Sequence, residues 1–95
     1  MAELLPITEY VLTEHAREEM TRRQITEADI AKVLASPGQT ELARAGRVAY
    51  QSQVQMGDPP KMYLLRVFVD TDREPARVVT VYRTSKIEKY WKAEE

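Results

Sequence analysis

One histidine, one arginine pair and a terminal run of hydroxyl-bearing and basic residues are the side chains of this chain that best fit proton transfer or anion binding. His15 follows Thr13, a residue type that caps helices, so it falls in the first turn of a helix. There the positive end of the helix dipole disfavours the imidazolium and leaves a neutral ring that can accept a proton. Arg23 stands about two helical turns further on and on nearly the same face, so His15 and Arg23 can border one groove. A guanidinium in that place offers paired hydrogen bonds to a phosphate. Thr80, Tyr82 and Thr84 alternate onto one face of the last strand, and Arg83, Ser85 and Lys86 gather at its end. Hydroxyls and cations so placed can orient a phosphodiester and stabilise its developing charge without a metal. Each group also has a plainer role. His15 can tie a helix start to a sheet, Arg23 can complement the helix dipole or pair with Glu19, and the hydroxyl residues are ordinary strand formers.

Other chemistries are poorly supplied. Asp70-Thr71-Asp72-Arg73-Glu74 has the spacing of a calcium loop, but Pro75 stands where the sharp turn requires glycine. With one histidine and no cysteine, a zinc site would have to be built mainly from carboxylates. No glycine-rich loop is present to cradle a nucleotide, so neither a metal nor a cofactor is expected. Tyr50, Tyr63 and Tyr82 offer stacking surfaces for RNA bases or half-buried packing. Tyr90 and Trp91 read as the last core contacts or as an anchor for another chain.

The elements that must position these groups follow from periodicity. Pro6 gives the first turn signal, and Ile7, Tyr10, Val11 and Leu12 form a short apolar lead, either an edge strand or an extended arm. A first helix spans about Glu14 to Arg23, with Leu12, Ala16 and Met20 as its buried stripe. A second starts at Thr26, which Asp29 can close in a capping box, buries Ile30, Val33 and Leu34, and stops at Ser36-Pro37-Gly38. Beyond Gly38 the pattern alternates: Val48, Tyr50, Ser52 and Val54 lie on one face, Arg47, Ala49, Gln51 and Gln53 on the other. A shorter strand at Thr40 to Ala43 precedes it, turning at Gly46. Met62 to Asp70 is a nearly continuous apolar strand, and Arg77 to Arg83 is the last one, with Val79 and Val81 toward the helices. Ser85 to Trp91 forms a short closing helix. The expected fold class is α+β in one domain: two N-terminal helices packed on one face of a three- to four-stranded antiparallel sheet, with a short C-terminal helix.

Composition bounds the partners. The chain has 95 residues, 43% of them hydrophobic and 31% charged, which suits a small folded domain rather than a disordered tail. No apolar run approaches the roughly 20 residues that span a bilayer, so no membrane is expected. Met1-Ala2-Glu3 opens with an acid where an export signal needs a basic region, and absent cysteine agrees with the cytoplasm. Fourteen basic against fifteen acidic residues leave a net charge of -1, so a nucleic-acid site would be a local patch. The clearest is Arg83, Lys86, Lys89 and Lys92.

The run Leu12-Thr13-Glu14-His15-Ala16 with Met20, Arg23-Gln24-Ile25 and Thr26, then Gly46-Arg47-Val48-Ala49-Tyr50 and Val78 to Lys86, resembles domain-of-unknown-function family 4258. That family is similar in turn to the RelE and barnase-like toxin ribonucleases, which set two helices against an antiparallel sheet and cleave RNA without metal. The resemblance implies His15 as the proton-transfer residue and Arg23 on a phosphate oxygen, with Thr80, Tyr82 and Arg83 lining the groove. Tyr82 or Lys86 would be the second proton carrier. Two functions from different classes are therefore expected. The first is an RNA-cleaving or RNA-binding domain; the second is a non-catalytic module that forms a homodimer or binds a small, antitoxin-like protein.

Overall fold

The structure is a computed structural model and describes residues 6–92; residues 1–3, read above for an export signal, lie outside them. The chain runs β1 (Tyr10–Leu12), α1 (Glu14–Arg23), α2 (Glu27–Ala35), β2 (Gln39–Arg44), β3 (Arg47–Met56), β4 (Lys61–Asp70), β5 (Ala76–Thr84) and α3 (Ile87–Tyr90). Thr13 caps α1 by accepting from the Ala16 N–H at 3.1 Å. Its own N–H donates to the Val78 carbonyl at 3.1 Å and its hydroxyl to that of Val79 at 3.4 Å. One residue thus starts the helix and fastens it to β5. Gln24 ends α1 in the left-handed region, φ 59°. In α2 the capping box forms as its residue types require, with Thr26 and Asp29 each accepting from the other's backbone N–H.

The sheet corrects the expected fold class. It has five strands in the order β1-β5-β4-β3-β2, and it is mixed, because β1 lies parallel to β5. A three- to four-stranded antiparallel sheet is therefore not what the chain forms. Strands β2 to β5 follow one another through short connections and must alternate in direction, whereas β1 reaches the sheet edge from before the two helices, with no hairpin to set its sense. Tyr10 and Leu12 stand opposite Ala76 and Val78 and pack against the core. The apolar lead is an edge strand rather than an arm.

Both main helices cover one face. Ala16 and Met20 of α1 and Ile30, Val33 and Leu34 of α2 form one core with Tyr50, Leu65, Val67, Val69, Val78 and Val81. One further expectation shifts. Phe68 stands opposite Thr80 and Val69 opposite Val78, so Val79 is the extra residue of a β-bulge. Val78 and Val81 are fully buried, and Val79 is not part of the core that alternation alone would assign it. Among the described residues no helix is long and apolar enough to cross a membrane.

Candidate active site

A charged residue interrupts the apolar run of β4. Leu65, Val67 and Val69 face the helices, so the period of two turns Arg66 and Phe68 to the other face. Arg66 is nonetheless only 6% exposed, and a guanidinium held that far from water requires partners. The register supplies them. Gln39, Gln51, Arg66 and Tyr82 stand directly opposite one another on β2, β3, β4 and β5, one row across the sheet. Arg66 Nε donates to Gln51 Oε1 at 2.8 Å and a terminal guanidinium nitrogen donates to the Tyr82 hydroxyl at 2.8 Å. Gln51 Nε2 donates to Gln39 Oε1 at 2.9 Å. The other guanidinium nitrogen reaches Glu41 Oε1 at 2.9 Å. Ala49, fully buried between Glu41 and Phe68 in the register, is small enough to leave that path open.

Helix α3 closes over this row. The Tyr90 ring lies 4.4 Å from the Arg66 guanidinium carbon, and its carbonyl accepts from Gln51 Nε2 at 3.3 Å. Backbone groups of Lys92 exchange hydrogen bonds with the Gln39 side chain, and Lys92 Nζ pairs with Glu41 at 3.3 Å. The Phe68 and Tyr82 rings stack at 6.0 Å, and Tyr82 and Tyr90 meet edge to face at 6.2 Å. Burial pushes Tyr82 above its ordinary value, whereas hydrogen bonding with Tyr82, followed by the nearby Lys89, draws Tyr90 below its own.

The residues singled out from the sequence divide among four places. Thr80 and Tyr82 lie on the helix-free face, and the structure joins Tyr82 to Arg66. Arg83 is on the other face of the same strand, its guanidinium 4.8 Å from the Tyr63 ring. Ser85 and Lys86 are exposed in the link from β5 to α3, where the Lys86 N–H donates to Thr84 Oγ1 at 3.1 Å. His15 is exposed in the first turn of α1. Arg23 is bound to the buried Glu19 at 2.8 Å, which is the plainer of its two roles. The sheet stands between these α1 residues and Tyr82.

Arg66, Gln51, Glu41 and the placement of Tyr90 were missed. Arg66 alone left a signal, as a lone cation in Leu64-Leu65-Arg66-Val67-Phe68-Val69, because a charge flanked on both sides by core positions needs a buried partner.

No curated protein and no solved structure matches the chain. A family model of a domain of unknown function, DUF4258, matches residues 12–83; it does not confirm the expected similarity to RelE- and barnase-like ribonucleases. Those residues run from the last position of β1 to within one residue of the end of β5, and the chain belongs to the DUF4258 family.

Proposed function

We propose that the protein cleaves RNA on the helix-free face of its sheet, using Tyr90 as the base, Tyr82 as the acid and Arg66 as the residue that positions Tyr82. The observation that carries this reading is geometric: Tyr82 and Tyr90 meet edge to face at 6.2 Å beside the buried Arg66, which donates to the Tyr82 hydroxyl at 2.8 Å and lies 4.4 Å from the Tyr90 ring. Tyr90, lowered, yields its proton more readily. Tyr82, raised, keeps its own. Lys89, its Nζ 5.4 Å from the Tyr90 ring, supplies a cation for a phosphate, the exposed Lys86 at the start of α3 supplies a second, and Thr80 shares the Tyr82 face.

In the reaction the Tyr90 phenolate takes the proton of a ribose 2′-hydroxyl. The 2′-oxygen bonds to the adjacent phosphorus, the bond from phosphorus to the 5′-oxygen breaks, and that oxygen takes the Tyr82 proton. The products are a 2′,3′-cyclic phosphate and a 5′-hydroxyl. Exchange with solvent then takes the proton from Tyr90 and returns one to Tyr82.

The test is cleavage of an RNA oligonucleotide in EDTA, with and without ribosomes. Tyr90→Phe and Tyr82→Phe are each expected to slow it by ~10²-fold or more, and a 2′-deoxy linkage should resist. The rate should climb with pH as Tyr90 ionises and fall once Tyr82 does. An inert wild type, or full activity in Tyr90→Phe, defeats the proposal. If His15→Ala alone abolishes cleavage, the chemistry lies on α1, where the family resemblance put it.

A further inference from the structure

The sheet has a second feature with no part in this chemistry, the outer edge of β3. Strand β2 pairs with β3 only as far as Gln39 opposite Gln51, while β3 continues to Met56, matched by β4 to Lys61. Beyond Gln51, β3 is thus an edge strand. The direction of its backbone groups is fixed by two bonds. The Thr71 N–H donates to the Gly46 carbonyl on the β4 side, and the Gly38 N–H donates to the Gln51 carbonyl on the β2 side. Even-numbered residues of β3 therefore bond toward β4 and odd-numbered ones away from it. The N–H and C=O groups of Gln53 and Gln55 point outward, and among the described residues no backbone group pairs with them.

That edge borders a groove of ≈ 910 Å³, walled by Asp29, Lys32 and Val33 of α2 on one side and by Met62 and Trp91 on the other. Edge strands are ordinarily guarded by charges or bulges. The β2 portion of this same sheet edge has both, Glu41 and Arg44 together with a register shift between Leu42 and Arg44. Ser52 to Met56 has no charge and no proline.

We infer that a second copy of the chain adds to this edge, β3 against β3 in antiparallel sense about a two-fold axis at Val54. The segment is its own complement. In that register Gln53 stands opposite Gln55 of the second copy and Val54 opposite Val54. Each glutamine amide both donates and accepts, so the directly opposed side chains satisfy each other, and no like charges face across the axis. The odd residues exchange about four interchain hydrogen bonds, and the two valines meet on the helix side. The pairing spans Gln53 to Gln55 of each copy: Gly38, bonded to the Gln51 carbonyl and the Ser52 hydroxyl, holds the place opposite Ser52, and Gly57, at φ +92°, turns the second chain away there. The result is an isologous, closed dimer. It draws on none of the phenol chemistry proposed above.

Sedimentation of the full chain over a range of concentrations tests this, with circular dichroism confirming the fold of each variant. Wild type is expected to dimerise. Gln53→Lys with Gln55→Lys sets lysine against lysine at both opposed positions and should weaken the dimer by roughly tenfold or more. Gln53→Lys with Gln55→Glu sets lysine against glutamate in this register and should restore it. Gln55→Pro, which removes an outward N–H and leaves the β4 ladder intact, should also give monomer. A monomeric wild type at all concentrations overturns the inference. So does a dimer indifferent to the double lysine variant, or a failure of the lysine–glutamate variant to recover. If the wild type stays monomeric but binds an extended peptide of another protein at this edge, the occupant is foreign and the two-fold pairing is wrong.

Discussion

Arg66 is the residue on which the helix-free face depends. Its guanidinium touches Gln51, Glu41 and Tyr82 through three directed bonds, and Tyr90 lies over it. Removing it strands polar atoms on three strands, and a group left unsatisfied in a buried place costs more than the bond itself contributed. Arg66→Met should therefore cost about 2–4 kcal/mol in urea unfolding although it fills similar space. Arg66→Lys should recover little, because an ammonium cannot present a planar fork to three separate acceptors. A loss below ~0.5 kcal/mol would show that the face holds together without it. Arg23 teaches the opposite lesson. Its Nε is bound to Glu19, the plainer of the roles open to it and the one that sequence periodicity favours.

Elements are joined by pairs whose geometry the register dictates. Arg47 and Asp70 stand opposite on β3 and β4 and form a two-point contact at 2.7 and 3.2 Å. Hydrogen bonding from Arg47 holds the Asp70 carboxyl below its ordinary value. A carboxylate whose folded value is depressed contributes stability that is present above its unfolded value and lost as pH falls through the folded one. The urea midpoint should therefore drop as pH falls below about 4, and Asp70→Asn should flatten part of that drop. Glu19, also held low by its bond to Arg23, supplies another part. An Asp70→Asn variant with an unaltered pH profile would contradict the assignment. At this scale the sequence was informative. Thr13, Thr26 and Pro37 carry the chemistry of helix ends, and the apolar positions of Val48 to Val54 repeat with the pleat, so both main helices and the central strands were legible. Strand β1 was legible only as an edge strand or an arm; its partner and parallel sense were not, because three residues of alternation cannot name a partner. The bulge at Val79 was also hidden, since it depends on how β5 meets β4 and leaves no mark in β5 alone.

Over the whole molecule, the C-terminal segment is held to the sheet by a close approach at Gly38. A Cβ there would lie 2.8 Å from the tip of the Trp91 ring, inside the distance real contacts allow. Gly38→Ala should displace Trp91, shift the emission of this sole tryptophan to the red and hasten amide exchange in α3. An unchanged spectrum would mean that the ring has room to yield. By itself the sequence determined what repeats locally: two capped helices, the apolar faces of the strands, and the hydroxyl and basic residues that end β5. Only the tertiary structure decided that β1 runs parallel at the edge, that Tyr82 and Arg83 part to opposite faces, and that Arg66 collects Gln51, Glu41 and Tyr82. The reason is physical. Caps and periodicity arise between residues a few positions apart, while a row such as Gln39, Gln51, Arg66 and Tyr82 exists only once four strands fix their register.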